Sequence, residues 1–268
     1  MGLKYSLLAT EGLHDQAVIC RLLRLLGLKP FNGERKLLDE TLYKFWIRLF
    51  PRASTESNMY ERLDMQIPRI FTSETHSVAV YQGGGSNLTQ NLIDRLVSYP
   101  AYVRDIHAFG LIVDADNRES TVVAKEYAGK LRRFFPMISG IPGSIALETP
   151  RTGIYVLPDN KRQGTLDSML VDCASVVYPD HKAGAIQFLD GLDSSYKNHW
   201  KPFDREKAVV ASIVSVIQPG IASHLSLTRA RDKWICEETV ENVSEVSQLN
   251  AFISELLELS ISQLEGIV

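Results

Sequence analysis

The sequence predicts an α/β fold with a largely parallel central sheet flanked by helices. Two observations favour this class. Short apolar runs alternate along the chain with amphipathic segments, and two of these runs end directly in acidic residues, as a buried strand does when it reaches a sheet edge. Strands are predicted near residues 4–10, 77–82, 107–114 and 153–157, and helices near 14–27, 86–98, 119–134, 164–177, 181–190, 205–217 and 244–262.

The length and composition set the domain organisation. With 268 residues, of which 45% are hydrophobic and 23% charged, the chain can bury a full core in one large domain or in one domain with an appendage. We expect an α/β core over residues 1–180 and a helical C-terminal extension over 181–268 that packs on the core.

A helical insertion is predicted at about residues 30–75, because this stretch is too long for a connecting loop in a compact domain. Its apolar residues define one helical face that either packs inside the protein or contacts a partner or second subunit. The residues of this face are Leu38, Leu42, Phe45, Trp46, Leu49 and Phe50.

Several classes of protein are excluded. No apolar stretch approaches the roughly 18 residues that a membrane span needs, and the N-terminus lacks the pattern of a signal peptide. We therefore expect a cytoplasmic protein without membrane contact. The three cysteines, Cys20, Cys173 and Cys236, are far apart and lack metal-binding spacing, which favours reduced thiols over a structural zinc site.

The charge is unevenly distributed along the chain. All 29 Lys and Arg lie within residues 1–233, together with 25 of the 32 Asp and Glu, and seven glutamates follow. The mildly basic body permits nucleic-acid binding without requiring it. The acidic end carries apolar residues at helical spacing, which predicts an ordered helix docked on its own sheet or on a second subunit. Those residues are Val243, Val246, Leu249, Phe252, Leu256, Leu259 and Leu264.

Carboxylates stand at the ends of two predicted strands. The apolar run 111–113 ends in Asp114 and Asp116, whose side chains point the same way in an extended chain, roughly 6 to 7 Å apart at the Cα atoms. Glu11 ends the first strand, and Asp15 follows about one helical turn later. Parallel strands deliver their ends to the same sheet edge, where α/β proteins bind ligands. Because Mg²⁺ prefers oxygen ligands, this edge is a candidate cation site, with Asp15 favoured over His14 as a further ligand.

These motifs resemble the Toprim domain of topoisomerases, bacterial primases and nucleases of the overcoming-lysogenization-defect family. The resemblance rests on the Glu11-Gly12 turn before a helix and on Asp114-Ala115-Asp116 at a strand end. It extends to uncharacterised prokaryotic Toprim-related proteins through 153–160, 164–167, 207–210 and Pro219-Gly220, over about residues 4–230.

The resemblance implies an Mg²⁺- or Mn²⁺-dependent nuclease that hydrolyses phosphodiester bonds in DNA or RNA. Glu11 would bind metal or act as general base, and Asp114 and Asp116 would hold the ion. Asp15 or Asp167 would join a second ion. Asp167 stands where the resemblance aligns a glutamate, and its side chain is one methylene shorter.

Two loops carry candidate phosphate contacts. Gly83, Gly84, Gly85 and Ser86 lie between a predicted strand and a helix, where backbone N–H groups can approach an anion; a tight turn capped by the following residues explains them equally well. Lys161 and Arg162 follow the strand near 153–157 and are catalytic candidates that would stabilise a phosphoryl transition state, or else side chains of a solvated loop.

Two other functions remain open at this point. One is a phosphomonoesterase or nucleotide hydrolase, since strand-end Asp pairs also serve there. The other is a non-catalytic metal-binding interaction protein or regulatory subunit. A homodimer is an open alternative for the assembly. A separate ATPase partner, as some anti-phage Toprim nucleases use, is also compatible with the sequence.

Overall fold

One mixed sheet forms the centre of the protein. The structure, a computed structural model, describes residues 2–31, 68–98 and 100–259. In these residues the sheet has seven strands in the order β2-β3-β4-β1-β5-β7-β6. The strands are β1 (Lys4–Thr10), β2 (Lys29–Pro30), β3 (Arg69–Thr72), β4 (His76–Gln82), β5 (Ala108–Asp114), β6 (Ile145–Ala146) and β7 (Arg151–Leu157).

The four central strands run parallel. β1 pairs with β4 on one side and with β5 on the other, and β5 pairs with β7. The outer strands β2, β3 and β6 pair antiparallel with their neighbours. The carboxyl ends of β1, β4, β5 and β7 therefore meet at one edge of the sheet. The predicted α/β class with a largely parallel sheet is confirmed.

Helices cover both faces of this sheet. Alternate side chains of each strand enter different apolar layers: Leu8 packs on one face with α1, α5, α7 and α10, whereas Leu7 packs on the other with α2 and α4. The helices are α1 (Leu13–Leu25), α2 (Leu88–Ser98), α3 (Ala101–Arg104), α4 (Ser120–Leu131), α5 (Leu166–Val177), α6 (Pro179–Asp190), α7 (Asp204–Ile217), α8 (Ser223–Thr228), α9 (Glu237–Asn242) and α10 (Ser244–Leu257).

The predicted insertion is the region where the sequence prediction and the structure differ. Its two ends belong to the sheet, since β2 and β3 pair with each other and β3 pairs with β4. β2 and the antiparallel β6 have two residues each, too few to produce an alternating pattern. The remainder of the insertion, including its predicted apolar helical face, lies outside the described residues.

The C-terminal helix α10 packs on the chain's own sheet, against β5 and β7. Two glycines allow this close approach. A Cβ at Gly110 would lie 2.6 Å from the Leu256 side chain, and one at Gly153 would lie 2.8 Å from the ring of Phe252. The helix ends at Leu257 instead of near residue 262, and the last residue of the predicted apolar face, Leu264, lies outside the described residues. The other residues of that face are buried within the protein: Val243, Val246, Leu249, Phe252, Leu256 and Leu259.

The end of α10 is bound at the amino-terminal edge of the parallel strands. Arg151, at the start of β7, donates to the carbonyls of Leu256 and Glu255 at 3.2 and 3.0 Å. Glu258 forms ion pairs with Arg151 at 3.3 Å and with Lys4, at the start of β1, at 2.6 Å. This anchor lies at the edge opposite to the carboxyl strand ends.

In the part of the chain that the structure describes, no helix has both the length and the apolar character needed to cross a membrane.

Candidate metal centre

Glu11 and Asp15 occupy the turn from β1 into α1. Gly12 precedes the helix, and its backbone N–H donates to Oδ2 of Asp15 at 2.7 Å. A Cβ at Gly12 would lie 3.2 Å from the same oxygen, so a side chain there would crowd the carboxylate. Asp15 therefore caps the start of α1 while lying buried beside the strand end.

Asp114 and Asp116 are placed by the end of β5. Oδ1 of Asp114, the last residue of the strand, accepts the backbone N–H of Leu166 at 2.8 Å, at the first residue of α5. The strand ends at Asp114, so the extended geometry expected to align Asp114 and Asp116 is wrong for Asp116, which has a left-handed backbone with φ of 52° and is exposed. Asp116 exchanges two backbone hydrogen bonds with Gly164, at 2.8 and 2.9 Å. These bonds tie the end of β5 to the loop that leads into α5 and Asp167.

The electrostatic environment shows that the carboxylates from three chain segments converge. Burial, followed by the charges of Asp114 and Asp116, raises the pKa of Glu11 from 4.5 to about 7. Burial, followed by the charge of Glu11, raises the pKa of Asp15 from 3.8 to about 7, and Asp167 adds to this effect. Each group is thus influenced by carboxylates distant in sequence, as the rule of a common sheet edge predicts.

Asp114 and Asp167 share this environment. Burial, followed by the charge of Asp15, raises the pKa of Asp114 well above its usual value. Burial raises the pKa of Asp167 to about 6, whereas Lys207 on α7 acts in the opposite direction. We call Glu11, Asp15, Asp114, Asp116 and Asp167 the carboxylate cluster.

The cluster has the type of ligand that a hard cation prefers, but its side chains do not surround a position for a cation. Its donors are all carboxylates, the ligands that Mg²⁺ and Mn²⁺ prefer, and the pKa values of Glu11, Asp15 and Asp114 are raised by burial first and then by the neighbouring negative charges. Among the described residues, however, no group of three or more His, Cys, Asp or Glu side chains is arranged to hold a metal ion directly. An ion that keeps several waters, as Mg²⁺ usually does, would fit this looser arrangement.

Tyr127 on α4 reaches the cluster from outside the predicted motifs. Its hydroxyl donates to Oε1 of Glu11 at 3.4 Å. Burial and the neighbouring Glu11 charge raise the pKa of Tyr127, so its hydroxyl stays protonated. Sequence analysis missed this residue because a tyrosine on an amphipathic helix has the pattern of an ordinary core side chain.

The predicted cations lie in different positions. The Arg162 guanidinium forms ion pairs with Asp172 at 2.7 Å, with Glu245 at 2.8 Å and with Asp159 at 3.6 Å, all outside the cluster. Lys161 is exposed in the same loop. Lys207 acts on one member of the cluster, since its charge lowers the pKa of Asp167, and it also forms an ion pair with Asp204 of its own helix at 3.3 Å. Lys207 begins the stretch 207–210 through which the Toprim resemblance extends, but nothing in the sequence pattern of that stretch indicates a role for its charge.

The glycine loop lies beside Glu11. The N–H of Gly83 donates to the carbonyl of Thr10 at 2.9 Å, and that of Gly85 donates to the carbonyl of Glu11 at 2.8 Å. A Cβ at Gly83 would overlap Leu88, so the turn itself requires glycine there. The backbone N–H groups of Gly83 and Gly85, which were expected to bind phosphate, therefore bind main-chain carbonyls beside the cluster.

The remaining members of this loop keep the phosphate prediction open. Gly84 has a left-handed backbone with φ of 84°, and Ser86 is exposed at the start of α2. A phosphate contact at these two residues stays a prediction. His14, the alternative to Asp15, lies outside the cluster with its ring 6.1 Å from that of His224 on α8.

Comparisons with known proteins give a family and a distant structural relative. A family model described as "Protein of unknown function (DUF3226)" matches residues 5–258, which include the whole carboxylate cluster. The crystal structure of hypothetical protein PH0156 from Pyrococcus horikoshii OT3 is similar, with a TM-score of 0.54, 15% sequence identity and 98% of each chain covered. At this identity the likeness concerns the fold alone. A comparison with curated proteins gave no match.

Proposed function

The chain belongs to the DUF3226 family, and we propose that it is a Toprim-like enzyme that hydrolyses phosphodiester bonds in DNA or RNA with Mg²⁺ or Mn²⁺. One observation carries the proposal: carboxylates from three chain segments, of which Asp15 is buried and Glu11, Asp114 and Asp167 are half-buried, converge at the carboxyl edge of the parallel strands. Burial and the neighbouring charges raise the pKa values of Glu11 and Asp15 to about 7. Burying like charges together destabilises the fold. Such pKa shifts therefore concentrate at functional sites, where the arrangement has a task that offsets its cost in stability.

The residues of the cluster have separate tasks in this proposal. Glu11, Asp114 and Asp116 would hold the cation, and Asp15 and Asp167 would supply further oxygen ligands near it. When bound, a divalent cation supplies positive charge to the phosphoryl oxygens and lowers the pKa of the water that it holds. In the alternative role, in which Glu11 is not a ligand, it would accept a proton from an attacking water, and its pKa of about 7 in the metal-free protein suits that role at neutral pH.

The surrounding residues orient the substrate and support the developing charge. Lys207, beside Asp167, is the cation we assign to the phosphoryl oxygens, in place of Arg162, which is bound to three other carboxylates. Gly84 and Ser86 offer contacts for a flanking phosphate at the start of α2. The proposal also places the protein in the cytoplasm. It leaves a second copy or a separate ATPase as candidate partners and a phosphomonoester as an alternative substrate.

A second candidate function is a non-catalytic metal-binding or regulatory protein. One observation favours it: Asp15 and Asp114 each have an oxygen bound to a backbone N–H, at 2.7 and 2.8 Å. These bonds give both carboxylates a structural task that does not require chemistry. Such a protein would bind a cation at the cluster without cleaving any substrate.

Cleavage of a nucleic-acid panel separates the two candidates. Purified protein is incubated with single-stranded and double-stranded DNA and RNA, in Mg²⁺, in Mn²⁺ and in a chelator. The nuclease proposal predicts metal-dependent cleavage that Asp114→Asn abolishes and that Asp180→Asn, an exposed carboxylate on α6, leaves unchanged. Metal binding without cleavage of any substrate would support the regulatory candidate instead.

A further inference from the structure

Glu11 needs an outside restraint to serve as a ligand. Its main chain is fixed, because its carbonyl accepts the N–H of Gly85 at 2.8 Å. Its side chain has three rotatable bonds and lies near the negative charges of Asp114 and Asp116. Repulsion from these charges favours rotamers that turn the carboxylate away from the cluster, and fixing one rotamer carries an entropic cost.

Tyr127 is a suitable restraint because it is itself held on several sides. Its ring packs against the apolar layer between the sheet and helices α2 and α4. Lys130 lies over the ring, with its Nζ 5.5 Å from the centroid. The hydroxyl therefore points to Glu11 from a fixed position and donates to Oε1 at 3.4 Å.

We infer that Tyr127 is a positioning residue, which binds Oε1 of Glu11 and so presents the other carboxylate oxygen to the metal. The inference rests on the proposed metal site and deepens it. Hydrogen-bond partners behind a metal ligand fix its orientation, and their removal commonly weakens metal affinity about 10- to 100-fold. At 3.4 Å this hydrogen bond is long, so we expect the lower end of that range.

Mn²⁺ binding to single and double variants tests the role. Affinity is measured by electron paramagnetic resonance of free Mn²⁺ for wild type, Tyr127→Phe, Glu11→Gln and the double variant. Tyr196→Phe removes a hydroxyl from a side chain that is 65% exposed and is the matched control. We expect Tyr127→Phe to weaken binding about tenfold, and the control to bind as wild type does.

The double variant separates positioning from a general structural effect. If Tyr127 acts through Glu11, Tyr127→Phe causes no further loss of Mn²⁺ affinity in the Glu11→Gln background. An equal loss in both backgrounds would overturn the inference, and so would unchanged affinity of Tyr127→Phe. Abolished cleavage with unchanged affinity would also overturn it and would instead indicate a nucleophilic tyrosine.

Two further results complete the test. If wild type binds no Mn²⁺ at millimolar concentration, the proposed metal site fails and the inference fails with it, whereas binding by wild type isolates the role of Tyr127. If Tyr127→Phe does not fold, Tyr127→Leu, which keeps an apolar side chain and lacks the hydroxyl, is measured in its place. It should then lower Mn²⁺ affinity in the same direction, and unchanged affinity of that folded variant would overturn the inference.

Discussion

Replacing Glu11 by Gln should stabilise the metal-free protein in a pH-dependent way. The change removes a buried ionisable group and keeps the shape of the side chain and an oxygen that accepts from Tyr127. Burial is the largest cause of the raised pKa of Glu11, followed by the charges of Asp114 and Asp116. The Gln side chain carries no charge, so it has no charge to desolvate and is not repelled by Asp114 and Asp116.

The magnitude follows from the pKa of Glu11, which rises from 4.5 to about 7. One pKa unit corresponds to about 1.4 kcal/mol, so ionised Glu11 costs the fold about 3 kcal/mol above pH 7. The folded state holds this proton more tightly than the unfolded state. The contribution of Glu11 to the free energy of unfolding therefore falls as pH rises from about 4.5 to 7 and changes little at higher pH.

Urea unfolding in a chelator at pH 5 and pH 8 measures the effect. We expect Glu11→Gln to be more stable than wild type by about 2 to 3 kcal/mol at pH 8 and to differ much less at pH 5. Asp180→Asn, at an exposed position, should show no such difference between the two pH values. A Glu11→Gln variant that is less stable than wild type at pH 8, or equally changed at both pH values, would refute the reasoning.

Two other variants test the roles assigned to side chains. Lys207→Ala should reduce the single-turnover cleavage rate about 100-fold, because a cation beside Asp167 is lost, whereas Arg162→Ala should change it less than threefold; the reverse ranking would contradict the assignment. Gly153→Ala should lower the free energy of unfolding by about 1 to 3 kcal/mol, because the new Cβ would meet the ring of Phe252 at 2.8 Å. Urea unfolding at fixed pH measures this loss, and wild-type stability would show that α10 shifts without cost.

Much of the sheet and of the cluster could be predicted because both follow local rules. Each central strand is an apolar run of about the usual strand length. Acidic residues end two of these runs, and parallel strands end at the same sheet edge. The sequence was therefore enough to predict that Glu11 and Asp114 lie at one edge. The outer strands β2 and β6 could not be predicted, since two residues carry no period and their pairing depends on the neighbouring strand.

The residues that sequence analysis missed or misplaced depend on tertiary structure. Tyr127 and Glu11 are 116 positions apart, and only the fold brings the Tyr127 hydroxyl to 3.4 Å from Oε1 of Glu11. Lys207 reaches Asp167 because α7 packs against α5, an arrangement that no local pattern encodes. No pattern in the sequence indicated the ion-pair partners of Arg162, which are Asp172 and Glu245 in the fold.

The most direct test of the central claim is anomalous diffraction from a crystal soaked in Mn²⁺. The account predicts an anomalous peak at the carboxylate cluster, coordinated by Asp114 and by at least one of Glu11 and Asp116, directly or through water. The peak should disappear in Asp114→Asn crystals soaked in the same way. An ordered cluster with no peak, or Mn²⁺ bound only at other surface carboxylates, would contradict the claim that these strand ends form a metal centre.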